Sequence, residues 1–116
     1  MWRDESYVLD MLLAARHVLA HTRDVTRERF DSDVTLHSAV MHWIVVIGEA
    51  ASHVSPDFRR QHPELPWVDV VGMRNKIVHE YFRVDFDVLW DAVQQDIPDL
   101  IAKIEPLVPP DEPARS

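Results

Sequence analysis

Apolar residues recur at helical spacing along most of this chain, and that repeat limits its folds more than any other feature. Between Asp4 and about Thr22, Val8, Leu12, Ala15 and Leu19 step by four, three and four residues, so they line one helix face. After Asp33, which is suited to an N-cap, Val40, Ile44, Ile47, Ala51 and Val54 repeat the stripe, and Leu36 extends it backwards. A third helix is expected from about Pro66 to His79. Its apolar residues Val70, Val71, Ile77 and Val78 cover a wide arc, which predicts a central helix with little exposed surface. Asp85 can cap a fourth helix carrying Leu89, Val93, Ile97, Leu100 and Ile104. Pro98 lies within that pattern, where it removes a backbone donor and clashes with the turn before it, so a kink is expected.

The connections between these helices are short. "RDVTRERFDSD" is charged and aperiodic, with one short turn expected at Thr26 to Phe30. Ser55 followed by Pro56 has the form of an N-cap and a first-turn proline, opening a short helix to about Gln61 that Pro63 and Pro66 close. Four amphipathic helices joined in this way predict an all-α, antiparallel helical bundle of four main helices plus short ones. Only two glycines in 116 residues agree with helices rather than turn-rich sheets. One domain over residues 1–108 is expected, followed by a flexible tail, 109–116, with almost nothing to bury.

Charge and composition narrow the function classes. The chain has no cysteine, which removes disulfides, thiolate nucleophiles and cysteine-bound zinc. The N-terminal stretch "MWRDESYVLD" carries charges within its first five residues and lacks an apolar signal core, and no uninterrupted apolar run approaches membrane-spanning length, so a soluble cytoplasmic protein is expected, with no membrane partner. The net charge of -8 argues at first against a nucleic-acid partner. Its distribution matters more: residues 1–54 carry -3, residues 84–116 carry -6, and residues 55–83 carry +1.

That non-acidic segment contains "GMRNKIVHEYF", Gly72 to Phe82. Arg74 offers a permanently charged fork suited to phosphate oxygens, and the imidazole of His79 can move protons near neutral pH. On an ideal helix the two point roughly 140° apart, so they converge on one cleft with Tyr81 only if the last turn loosens. Asn75, one turn before His79, is placed to hydrogen-bond it. Together these groups suit RNA phosphodiester cleavage, in which a base takes the 2'-hydroxyl proton, a cation stabilises the phosphorane and an acid protonates the leaving oxygen. A single histidine is poorly placed to be both base and acid, which argues for a two-fold dimer supplying a second His79 and Arg74. The alternative from spacing alone is that Arg74 pairs with a carboxylate and His79 caps the helix C-terminus.

Other residues carry weaker signals. Glu49 is either a salt-bridge partner for Arg74 or an auxiliary group at the site. His17 and His21, one turn apart, form two ligands of a metal edge without a third, and no metal is expected. Trp43, Trp67 and Trp90 fall at packing positions. Arg59, Arg60, Lys76 and Arg83 can guide RNA or meet an acidic partner surface.

The stretch Ile47 to Leu100 resembles the HepT-like toxin family of the HEPN superfamily. The resemblance is carried by "IGEA", a proline–tryptophan helix start, "GMRN", the R-x-x-x-x-H-x-Y arrangement of Arg74, His79 and Tyr81, "YF" before a capping Asp, and "DIPDL". It implies a helical homodimer that acts as a metal-independent endoribonuclease without a cofactor, its cleft shared between subunits. It also implies the toxin role in a type VII toxin–antitoxin module, with an MNT-type nucleotidyltransferase as antitoxin and AMP transfer to Tyr81 as one route of neutralisation. On this reading Arg74 and His79 are catalytic, Asn75 and Glu49 auxiliary, and Lys76 and Arg83 contact RNA. Glu80 adds an acid where many relatives carry a small residue. A non-catalytic helical module that binds a nucleotide or a partner protein is the competing expectation.

Overall fold

A computed structural model describes residues 2–109, so the tail expected at 109–116 lies outside the described residues except for Pro109. The described residues form an all-α bundle: α1 (Trp2–Thr22), α2 (Arg27–Ser32), α3 (Val34–His53), α4 (Pro56–Gln61), α5 (Trp67–His79), α6 (Phe86–Asp91) and α7 (Ile97–Ile104). A 3-10 turn, Tyr81–Arg83, follows α5, and another, Glu105–Leu107, follows α7.

Local chemistry sets the helix starts. Asp33 accepts a hydrogen bond from the Leu36 amide at 3.0 Å, Ser55 from Phe58 at 3.2 Å, and Asp85 from Asp87 at 2.8 Å. Thr26 caps α2 in the same way, through the Arg29 amide at 3.1 Å. Between α6 and α7 the chain makes a π-helical turn, Ala92–Asp96, immediately before Pro98. The interruption expected from that proline therefore takes the form of a widened turn, which accommodates its ring and missing N–H.

α3 is the central element, packed between α1 and α5, while α7 lies against α1. α1 and α3 run antiparallel. Asp4 at the start of α1 accepts hydrogen bonds from the Ser55 amide and hydroxyl at 2.9 and 2.8 Å, just beyond the end of α3. These bonds, led by the amide, hold the Asp4 carboxyl below its ordinary pKa against the opposing effect of burial. The core joins Val8, Met11, Leu12 and Val18 of α1 to Val40, Ile44 and Ile47 of α3 and Leu89, Val93, Ile97 and Ile104 of the last helices. By length and composition α3 is apolar enough to cross a membrane, but eight of its residues are buried against the neighbouring helices.

α5 departs from the expectation of a central, enclosed helix. Trp67 and Ile77 are buried, Val70 and Val71 are half-buried, and Val68 is 84% exposed and Val78 53% exposed. The apolar arc is as wide as the sequence indicates, but α3 covers only one side of it.

Candidate functional site

The site is built where α3 and α5 touch. Gly48 permits the approach: a Cβ there would collide with Cβ and Cγ of Arg74 and come within 3.0 Å of the Val70 carbonyl oxygen. Replacing hydrogen by methyl would push α5 away, so this glycine fixes how closely the arginine stem lies on α3.

Arg74 donates from one terminal nitrogen to Glu49 Oε1 at 2.6 Å and from the other to Asn75 Oδ1 at 2.7 Å. Its Nε is buried and has no partner among the described residues. Glu49 Oε2 faces His53 Nε2 at 3.6 Å, and the His53 ring stacks on Tyr7 of α1 with centroids 5.2 Å apart. Glu49, on the surface one helical turn from His53, is thus placed between two cationic or titratable groups. The Arg74 side chain is about one-third exposed and Glu49 half exposed. This is a solvated ion pair that a competing anion can displace, and pairs of this kind contribute on the order of 0–1 kcal/mol to stability.

His79 closes α5 and is exposed, with no hydrogen-bond or ion-pair partner among the described residues. The helix stays regular up to it, as the Glu80 amide donates to the Lys76 carbonyl at 2.9 Å. The last turn therefore does not loosen. Arg74 and His79 leave the helix in different directions, and neither contacts the other within one chain. Two expectations are corrected: Asn75 bonds to Arg74 and not to His79, and His79 does not cap the helix through its side chain. Tyr81 and Phe82 follow on the 3-10 turn, both exposed, with rings perpendicular at 5.1 Å. Lys76 and Arg83, before and after them in the chain, are exposed, and their side chains have no ionic or hydrogen-bond partner among the described residues.

Arg59 and Arg60 lie apart from this group. Arg59 donates to the Ala51 carbonyl at 2.8 Å and sits over Trp67, while Arg60 pairs with Asp57. Trp43 stacks on His17 at 4.3 Å, and His21 Nδ1 lies 2.7 Å from the His17 carbonyl. A cleft of about 710 Å³ opens between α5 and α7; Lys76 is on its wall, but Arg74 and His79 are not. Asp96, also on that wall, has its carboxyl pushed above the ordinary range by burial and by the nearby charges of Asp69, Asp99 and Asp91.

The Arg–x4–His arrangement at the end of an outward-facing helix coincides with a family match. The model for the ribonuclease HepT-like family covers residues 11–107. The chain belongs to this HepT-like family. It is 40% identical over 103 residues to a Thermococcus cleftensis protein named "Probable ribonuclease HepT", covering 89% of this chain and 94% of that one. It is 33% identical over 101 residues to a Methanocaldococcus jannaschii protein named "Putative RNase MJ1380", covering 87% and 93%. No solved structure gives a significant match.

Within this HepT-like chain, sequence reasoning passed over three participants. His53 carries the signal of an i, i+4 partner for Glu49. Gly48 is one of two glycines in the chain, set in the middle of a helix where glycine is otherwise unfavourable. Tyr7 could not be found from spacing, because it reaches His53 from another helix.

Proposed function

We propose that this chain is a metal-independent endoribonuclease whose active cleft is shared by two copies, with Arg74 and His79 as its catalytic residues. The observation that carries the reading is the outward placement of His79 beside an α5 face, including Val68, that no helix of its own chain covers. One chain separates Arg74 from His79; a two-fold partner brings a second pair to the same place.

In this mechanism the substrate's own 2'-hydroxyl is the nucleophile. One His79 removes its proton, oxygen attacks phosphorus, and the bond to the 5'-oxygen breaks as the other His79 protonates it. The products carry 2',3'-cyclic phosphate and 5'-hydroxyl ends. Arg74 exchanges Glu49 for the phosphate oxygens and stabilises the charge that builds on them. Asn75 and Glu49 hold the guanidinium in place beforehand, and Lys76 and Arg83 contact flanking phosphates. The chemistry needs neither a cofactor nor a metal, because nucleophile, acid and base are all supplied.

The same reading makes the chain the toxin of a two-component module with a nucleotidyltransferase antitoxin, acting in the cytoplasm. The Tyr81 ring is exposed and its hydroxyl has no hydrogen-bond partner among the described residues, so a transferase can reach it. AMP on that oxygen would place a negative phosphate two residues from His79 and repel RNA.

The test is purified chain, freed of any partner, with single-stranded RNA and a chelator. Cleavage leaving cyclic phosphate ends, and no cleavage of DNA, is expected. Cleavage that stops with the chelator overturns metal independence, and no cleavage of any RNA favours the partner-binding module. Mass spectrometry after co-expression with a nucleotidyltransferase antitoxin reads the Tyr81 adduct directly.

A further inference from the structure

Phe82 is 95% exposed, more than any other large apolar side chain among the described residues, on the turn that directly follows His79. Exposing a whole phenylalanine forgoes the stabilisation its burial would bring, and with the exposed Val78 and Tyr81 in the same stretch it belongs to a group of exposed apolar side chains of the kind that marks an interaction site. Tyr81 touches it edge-on, with planes 88° apart. That edge contact leaves nearly all of the Phe82 ring open to solvent. The side chains of Lys76, near the end of α5, and Arg83, the last residue of the turn, have no partner among the described residues, and Glu80 is the one acid between them in sequence.

We propose that Phe82 is a base-stacking platform for single-stranded RNA, holding the nucleobase next to the scissile linkage. An exposed ring with unpaired cationic side chains before and after it in the chain fits a nucleotide, whose base presents a π-face and whose flanking phosphates are anionic. A second copy meeting this turn is the competing occupant, and the mass measurement below separates it from RNA. Stacking accepts all four bases, so Phe82 confers preference for unpaired RNA over duplex without reading sequence. The inference rests on the ribonuclease reading for its substrate, but not for its measurement.

The experiment uses the full chain and a single-stranded RNA oligonucleotide with 2'-deoxy sugars at the cleavable positions, so that binding is read without turnover. Phe82→Ala and Phe82→Leu are expected to weaken binding about 5- to 100-fold, the range found when a base loses an aromatic partner. Phe82→Trp retains affinity, and the fluorescence gained with that tryptophan is quenched by RNA. The side chain is outside the core, so none of these changes should alter folding or the mass measured by sedimentation. Parent-like binding by Phe82→Leu overturns stacking, since apolar bulk alone would then suffice. A change of mass in Phe82→Ala overturns it in favour of a protein contact, and absence of binding by the parent overturns it outright. Cleavage of unmodified RNA is followed in parallel: Phe82-dependent binding without cleavage sinks the nuclease and keeps the platform, while cleavage with Phe82-independent binding does the reverse.

Discussion

The two sides of α3 are finished differently. Toward α1 its apolar residues meet a closed core, sealed at one end by the Asp4–Ser55 hydrogen bonds. Toward α5 it meets a helix that is apolar on two faces but covered on one, and α5 runs into a turn bearing Tyr81, Phe82 and Arg83 in solvent. On the first side the sequence pattern is satisfied within the chain. On the second it exceeds what the chain can bury, and the polar groups suited to RNA chemistry collect there. The contrast separates residues that make the fold from residues left for something outside it.

Substitution tests this division most sharply at the α5 end. Arg74→Ala and His79→Ala are each expected to lower RNA cleavage by about 10²- to 10⁴-fold, the usual loss for a charge stabiliser or an acid–base group. Neither should move the urea midpoint much, since both side chains are at least partly exposed. Next in size are losses on the closed side. Leu12→Ala and Ile47→Ala remove fully enclosed side chains and should each cost about 2–5 kcal/mol in urea unfolding, whereas Val68→Ala should cost little in the isolated chain. Equal losses at Val68 and Leu12 would break the comparison.

The two glycines give a smaller pair of effects. Gly48→Ala forces α3 and α5 apart and is expected to cost about 1–3 kcal/mol, with cleavage reduced because Arg74 shifts. At Gly72 an added Cβ meets nothing within 4 Å in the single chain, so Gly72→Ala should stabilise it by about 0.5–1 kcal/mol through helix propensity. Calorimetry or urea titration reads both.

The smallest effects come from pH. Asp4 has a lowered carboxyl pKa, so its stabilisation is complete above the unfolded value of about 3.9 and is lost as pH falls through the folded one. Asp4→Asn is therefore less stable than the parent at pH 7, and the gap narrows in acid. Asp96 is raised, so its ionised form opposes folding at neutral pH. Asp96→Asn should raise the urea midpoint at pH 7, a gain that fades as acid protonates the parent.

What could be read from the sequence was local or periodic. The caps at Asp33, Ser55 and Asp85 follow from one side chain and an amide two or three residues away. The stripes of α1 and α3 identify the core because the covering helices belong to the same chain. Periodicity counts apolar residues without saying whose surface covers them, which is why the sequence of α5 reads as an enclosed helix. Helical spacing points Asn75 toward His79, but the charged guanidinium next to it takes its Oδ1. The Glu49–Arg74 pair is legible as one of two roles, since an acid set in a strongly apolar helix calls for a cationic partner; the Tyr7 stack needs the fold.

The shared cleft is tested most directly by mixing parent chains with His79→Ala chains under conditions that exchange subunits, and measuring RNA cleavage against the parent fraction. If each cleft needs a histidine from both copies, mixed dimers are inactive and an equal mixture retains about a quarter of the parent rate. A rate proportional to the parent fraction, about one half at equal mixing, would mean that each chain carries its own complete site.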